Sequence, residues 1–414
     1  MQTIAYLTNL LPAASEPYVM QEITELRRRG IAVIPCSARR PRGTNRDENW
    51  KPWEVETVYI EPLRVRLLIR AVLLCIRKSK TISEIIRSAL FHDREPLSKR
   101  GKTVIHTLLG AYFAVLLDRT NTDHIHVHHG YFSCWIAMVA ARLRGITYSV
   151  TLHGSDLLLH HVHLDTKLSH CQFCVTISEF NRRYILDHYR GIPPEKIFVR
   201  RIGVEPGVLW SPRIPRKPLM MLAVGRLHAV KNHAFLIRAC AQLRIRDIPF
   251  LCLIAGEGKE RKALYWLVQN LGLQREVVLL GHLLPPQLDV FYAICNLLVL
   301  TSRSEGLPVA LMEAMARGTI VLAPGITGIP ELVIDGKTGF LFREGSSEDF
   351  IEKIETISNS SPELLDRVQS SARQLIAKEY DRKTNLAAFS DLILRQLSTL
   401  ETINPHENPV LQQI

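Results

Sequence analysis

The sequence predicts an α/β protein made of two doubly wound, Rossmann-like domains that face a cleft. Three observations carry that prediction. The chain has 414 residues and 47% hydrophobic content, enough for two sizeable cores rather than one. Short apolar runs alternate with stretches of helical period, the order that places crossover helices between parallel strands. A stretch rich in proline and charge, Leu209-Trp210-Ser211-Pro212-Arg213-Ile214-Pro215-Arg216-Lys217-Pro218, interrupts both patterns and reads as a linker. The expected division is therefore a domain over 1–208, a linker over 209–218, a domain over 219–378, an amphipathic helix over 379–400 and a loose tail over 401–414.

In the first half, strands are expected at Thr3–Thr8, Ala32–Ser37, Thr57–Ile60, His124–His129, Tyr148–Leu152, Phe173–Ile177 and Ile197–Ile202. Helical patterns lie between them, as at Tyr18–Arg29 and Trp135–Leu143. The second half repeats the scheme, with strands near 219–224, 250–255, 277–280, 296–301 and 319–323. No stretch of eighteen uncharged apolar residues occurs, so no membrane-spanning helix is expected. Met1–Leu7 lacks a basic segment ahead of its apolar run and reads as a first strand, not a signal peptide.

The eight cysteines are scattered through apolar segments, as buried thiols of a reducing cytoplasm would be. Cys171-Gln172-Phe173-Cys174 has metal spacing but no second pair, which argues against a zinc site. The formal charge is +12 and uneven. Residues 1–210 hold 29 Lys and Arg against 19 Asp and Glu, and the remainder 23 against 21. A basic first half suits an anionic partner: a phospholipid surface, a lipid-linked diphosphate or nucleic acid.

The strongest functional signal is Glu305-Gly306-Leu307-Pro308, followed by Leu311-Met312-Glu313-Ala314. The apolar run Asn296–Ser302 precedes it, and Pro308 suits the start of a helix. Glu305 then lies in a strand-to-helix loop and Glu313 on the second turn of the helix. Ligands of an open parallel sheet bind beyond the carboxyl ends of its strands, where helix amides favour an anion. Amides for a phosphate and carboxylates for hydroxyls describe a site for a phosphorylated polyol. Upstream, Val224-Gly225-Arg226-Leu227-His228-Ala229-Val230-Lys231-Asn232 follows another apolar run. There, glycine permits a tight turn, and Arg226 and Lys231 add two fixed charges able to grip phosphate oxygens.

Together these segments resemble the donor site of the family-4 retaining glycosyltransferases, which have the GT-B fold. The matching pieces are Gly225-Arg226-Leu227…Lys231, Ala255-Gly256-Glu257-Gly258, Glu305-Gly306-Leu307-Pro308…Glu313-Ala314 and Gly339-Phe340-Leu341. The resemblance implies that Gly225, Arg226, Lys231, Gly256, Glu257, Gly306, Leu307 and Glu313 bind a nucleotide-sugar. Arg226 and Lys231 would take its diphosphate, Glu313 its ribose and Glu305 its sugar. It also implies that the final helix crosses back to the first domain.

In the first half, Thr151-Leu152-His153-Gly154-Ser155-Asp156 puts a histidine at a strand end beside a glycine, a favoured place for function. The resemblance implies that His153 approaches the donor sugar, with Asp156 orienting it or meeting the acceptor. Many family members carry a glycine-rich loop after the first strand. This chain has Pro12-Ala13-Ala14-Ser15-Glu16-Pro17 instead, which is closer to the exopolysaccharide and colanic-acid subgroup. Ser15 and Glu16 are acceptor contacts or, equally, a helix cap. His124-Ile125-His126-Val127-His128-His129 alternates, so that His124, His126 and His128 share one strand face, and His128 or His129 is expected near the acceptor. Catalysis is thus expected from His153 and Glu305, and acceptor contacts from Ser15, Glu16, His129 and Asp156.

On a helix over Arg64–Lys78, Arg66, Arg70 and Arg77 form a stripe while Leu67, Leu68, Val72, Leu73 and Ile76 cover much of the rest. Such a helix lies in a membrane interface or packs on a core with a solvated edge. The expected reaction moves a sugar from a UDP- or GDP-linked donor to a hydroxyl of a lipid-linked saccharide, without metal or other cofactor, at the inner face of a membrane. Rival readings are a sugar-nucleotide epimerase of similar plan and a non-catalytic partner subunit. A nicotinamide enzyme would need a Gly-x-Gly-x-x-Gly loop after a strand. A nucleic-acid binder would need aromatic platforms among its charges.

Overall fold

The computed structural model describes residues 2–13, 16–41, 50–91, 95–205 and 218–402. They form two compact units. The first runs to Ile177, takes in Arg182–Arg200 and resumes at Leu386; the second comprises Ser178–Asn181 and Arg201–Asn385.

The first unit contains β1 (Thr3–Leu10), β2 (Ala32–Arg39), β3 (Val58–Tyr59), β4 (His124–His128), β5 (Thr147–Leu152), β6 (Cys174–Thr176) and β7 (Ile197–Val199). They form one sheet in the order β3-β2-β1-β4-β5-β6-β7. Every pairing is parallel. The order reverses between β1 and β4, where a doubly wound sheet opens its ligand crevice. Both faces are covered. Ala5, Leu7, Ile125 and Val127 pack with Trp135 and Val139 on one side. On the other, Ile4 and Tyr6 pack with Val19, Ile23 and Phe173, joined by Phe389, Leu392, Ile393 and Leu397 of the helix Arg382–Thr402. Burial on both faces explains why these strands read as continuous apolar runs.

The second unit contains β8 (Leu219–Val224), β9 (Phe250–Ala255), β10 (Val277–Gly281), β11 (Leu297–Val299), β12 (Ile320–Pro324) and β13 (Phe340–Phe342). Their order is β10-β9-β8-β11-β12-β13, so β8 and β11 flank the reversal. Its core joins Met221, Cys252 and Leu297 to Leu236, Phe350 and Ile354 of the covering helices.

Three expectations change. β13 was not among the expected strands, because three apolar residues are too few for a period to emerge. The final helix begins at Arg382 rather than 379, after a break at which the Asp381 carboxylate accepts from the Thr384 N–H at 2.8 Å. The second unit takes in Ser178–Asn181, and its main segment starts at Arg201 rather than near 219. Val204 bridges Asp381, and a Cβ on Gly203 would stand 2.4 Å from the Arg382 Cα, so these two segments are held backbone to backbone. Residues 206–217, most of the expected linker, and 403–414, most of the expected tail, lie outside the described residues.

Candidate functional site

The candidate residues fall into two clusters, one in each unit. In the second unit, β8 ends at Val224 and the chain turns through Gly225-Arg226-Leu227. The loop after β9 lies against this turn. The Gly225 N–H donates to Ala255 O at 3.0 Å and the Leu227 N–H to Glu257 O at 2.8 Å. A Cβ on Gly256 would fall 1.9 Å from Gly225 O, and one on Gly258 2.3 Å from Leu227 O. Only glycine permits two backbones so close, and both have positive φ. The two glycines therefore shape the turn that carries Arg226 and Lys231.

The loop after β11 is tied to the same turn. The Thr301 hydroxyl donates to Lys231 O and the Arg303 N–H to Val230 O. These ties bring Lys231 Nζ to 2.5 Å from Glu305 Oε1, with side chains 18% and 12% exposed. The two groups expected to hold different parts of a donor thus hold each other. Arg226 is exposed and, among the described residues, makes no ion pair. Gly306 O sits 2.7 Å from where a Cβ of Gly328 would be, and Leu307 is buried. The helix Val309–Ala316 follows, capped by Pro308 rather than begun by it. Its Glu313 accepts from the Tyr292 O–H at 2.8 Å. Burial raises the Glu313 carboxyl above its usual range, and the Tyr292 and Arg317 contacts only partly oppose this. Glu257 is bound to Arg261 at 2.7 Å. His233 went unnoticed in the sequence; it is buried beside Lys231 and the backbone of Arg226, and burial keeps it neutral with a pKa of about 4.

The first unit's cluster is more deeply buried. β4 and β5 pair in register, His124 against Thr147, His126 against Ser149 and His128 against Thr151. His124 bonds the Thr147 and Ser149 hydroxyls, each at 2.7 Å, and His126 bonds those of Ser149 and Thr151 at 2.7 and 3.0 Å. This cross-strand ladder leaves both imidazoles satisfied and, through burial, far less basic than usual.

At the strand end, His153 Nε2 lies 2.9 Å from His128 Nδ1, and His128 Nε2 lies 2.9 Å from Glu22 Oε2. The Tyr6 O–H also donates to Glu22. The Tyr6 hydroxyl also lies 2.8 Å from His128 Nε2, so Tyr6, Glu22, His128 and His153 form one connected chain of polar groups. Burial, then the neighbouring imidazoles of His129 and His128, hold His153 neutral.

His129 has a left-handed backbone (φ 69°). Its Nε2 is 3.1 Å from Glu16 Oε1 and its Nδ1 3.7 Å from Asp156 Oδ2. Burial disfavours a charge there, but the Asp156 and Glu16 carboxylates outweigh it and push the pKa to about 10. Asp156 is itself fully buried and accepts from the N–H groups of Gly130 and Gly154, both at 2.8 Å, and of His153 at 3.1 Å. Despite that burial, these bonds and His129 hold its carboxyl well below the usual range. It braces the loop that carries His153. Glu16 occupies the N-cap of the helix Pro17–Arg28 but makes no capping bond with its side chain; its carboxylate goes to His129. Ser15 lies outside the described residues. Tyr6 and Glu22 carry no cue in the sequence, where they read as an ordinary strand aromatic and a helix surface acid.

Comparison with known proteins matches this layout. Residues 84–208 match the family described as Glycosyltransferase Family 4, and residues 209–375 that described as Glycosyl transferases group 1. The chain is 32% identical over 218 residues to WcaL of Salmonella typhimurium, named for colanic acid biosynthesis. That match covers 51% of this chain, and the chain spans about half the length of that relative, 52%. The amylovoran biosynthesis glycosyltransferase AmsK of Erwinia amylovora is 26% identical, covering 95% of this chain and 99% of its own. Among solved structures, Anabaena HepE in complex with UDP and glucose superposes with a TM-score of 0.66 at 17% identity, covering 95% of this chain and 100% of that one. Two parallel-sheet α/β units with this strand order, and matching family domains on both halves, make the chain a member of the group 1 and family 4 glycosyltransferases, with the GT-B fold.

Proposed function

We propose that the chain is a retaining hexosyltransferase of exopolysaccharide assembly. It moves a sugar from a UDP- or GDP-linked donor to a hydroxyl of a lipid-linked saccharide, without a metal. The observation that carries this reading is the Lys231–Glu305 pair at the β8/β11 reversal, held by glycine-only contacts to the next loop. A diphosphate offers Lys231 a second anionic partner, and the displaced Glu305 is then available for sugar hydroxyls. Arg226 adds a charge that no carboxylate among the described residues neutralises. Cations fixed in this way stabilise the charge that develops on a departing diphosphate, and Glu313 holds the donor by its ribose. HepE, of like fold, binds UDP and glucose, and WcaL and AmsK are named for two exopolysaccharides. His153, held neutral by burial, meets a hydroxyl of the donor sugar or of the acceptor.

The acceptor reading draws on the helix Val65–Arg77. Leu67, Leu68 and Leu74 pack on the first unit's core, while Val65, Ile69, Leu73 and Ile76 are 72, 56, 53 and 65% exposed. Arg66 and Arg77 flank this stripe and are also exposed. An exposed apolar stripe edged by arginines suits an anionic membrane surface, which would bring the protein to the cytoplasmic face. No helix among the described residues is long and apolar enough to cross a membrane.

The test is calorimetric titration with UDP, GDP and ADP, on the native chain and on Lys231→Ala. One nucleotide should bind and lose about tenfold or more in the variant, or ~1.4 kcal/mol. If none of the three binds, the donor assignment fails and a non-catalytic partner role takes its place.

A further inference from the structure

The first unit holds a cavity of about 450 Å³ that none of the expected site residues lines. The helix Leu97–Leu116 supplies Lys99, Lys102 and His106, and the start of the helix Phe132–Arg144, with the residue before it, supplies Tyr131 and Phe132. Lys167 reaches it from below.

The cavity is electropositive. Lys167 is 2% exposed, and its ammonium donates to the carbonyls of Gly130 and Val162 at 2.8 and 2.6 Å. Lys99 and Lys102 are exposed at the rim, and Lys99 is 3.0 Å from Glu95. The Arg39 guanidinium lies 5.1 Å from the Phe132 ring centroid, and the His106 ring centroid 5.3 Å from it. Burial, then Lys167, Arg39 and Lys102, lowers the His106 pKa to about 4, so this imidazole registers the local positive field without adding to it. The cavity thus offers cations at its rim and floor with aromatic side chains between, a combination that fits a phosphate joined to a sugar ring or a prenyl chain.

The cavity also adjoins the polar cluster. Tyr131 stacks on His129 at 5.4 Å, and its hydroxyl bonds Ser155 at 2.6 Å. Gly130 is held from both sides, its carbonyl by Lys167 and its N–H by Asp156. One short loop therefore separates the cavity from His129 and His153. We propose that this cavity binds the phosphate of an anionic acceptor and so sets which hydroxyl of that acceptor lies beside His153. The proposal rests on the transferase reading given above.

Three probes test it by titration against the full chain at low salt: glucose 1-phosphate, citronellyl diphosphate and uncharged methyl glucoside. The variant is Lys99→Glu/Lys102→Glu, two exposed positions whose exchange leaves the core untouched. At least one phosphate probe should bind the native chain, methyl glucoside should not, and the variant should lose tenfold or more. Binding of glucose 1-phosphate alone assigns the cavity to soluble sugar phosphates; binding of citronellyl diphosphate alone assigns it to lipid carriers. The proposal is overturned if neither phosphate probe binds, or if the variant binds as tightly as the native chain. UDP, GDP and ADP titrated into the same two proteins separate the readings. Nucleotide binding that persists while both phosphate probes fail removes the cavity alone, whereas a native chain that binds none of UDP, GDP and ADP removes the transferase reading.

Discussion

The two polar clusters lie at equivalent places, each beyond a sheet reversal, yet they are built in opposite ways. In the first unit the cluster's central carboxylates are engaged internally. Asp156 is spent on backbone amides and His129, and Glu22 on Tyr6 and His128. In the second, the central pair is part-exposed, and one cation beside it faces solvent. Buried carboxylates bonded from several sides rigidify their surroundings, while an ion pair that keeps 18% and 12% of its side chains in solvent can be reached by a ligand and trade partners. The first cluster is an anvil whose shape is preset; the second is a clasp that a ligand can open.

Mutations should separate these roles. The largest effect is expected from Asp156→Ala, which strands a buried charged histidine and several N–H groups. It should lower unfolding stability by about 3–5 kcal/mol, measured by urea titration. A loss under 1 kcal/mol would mean that the first cluster is no more integrated than the second. Next comes Gly256→Ala, whose methyl would strike Gly225 O. A cost of about 3 kcal/mol should accompany loss of nucleotide binding, since the clasp depends on that contact.

The third prediction concerns pH. His129 has a folded pKa of about 10, above its unfolded value, so its contribution is complete below about pH 6.5 and fades as pH rises toward 10. His124 is depressed to about 3, and His126 and His153 are also depressed. Their effect is absent above about pH 6.5, and stability is lost as pH falls below it. Stability of the first unit should therefore peak near pH 6.5 and fall on both sides, as read by denaturation midpoints at pH 5, 6.5 and 9. His129→Asn should flatten the alkaline limb alone. The smallest effect on folding belongs to Arg226→Ala. Stability should shift by less than ~0.5 kcal/mol, while nucleotide affinity drops roughly fivefold. An unchanged affinity would take Arg226 out of the clasp.

The second unit was the more legible in the sequence, for a physical reason. Its site is made of backbone turns, and turns leave glycines, prolines and strand ends at fixed spacings. Lys231 and Glu305 could be named from the loops alone, although not that they meet. The first unit's network is made of side chains on regular elements. Tyr6 sits mid-strand and Glu22 mid-helix, positions where either residue ordinarily means core or surface, and their partner His128 lies 106 residues beyond Glu22. Only pairing of β1 with β4 brings them together. The unit boundary was hidden similarly, because Gly203 against Arg382 is a contact between distant segments with no local signature.

The helix Arg382–Thr402 carries a consequence for how the protein is made. Its Phe389, Leu392, Ile393 and Leu397 complete one face of a sheet whose first strand is Thr3–Leu10. During synthesis that face stays incompletely covered until nearly four hundred residues have been joined, well after the second unit's sheet has been translated in full. The ribosome thus releases the later domain able to fold while the earlier one still waits. For that interval the sheet face around Ile4, Tyr6 and Ile23 is covered by Val19, Leu26 and Phe173 but not by this helix, and part of its apolar surface stays open.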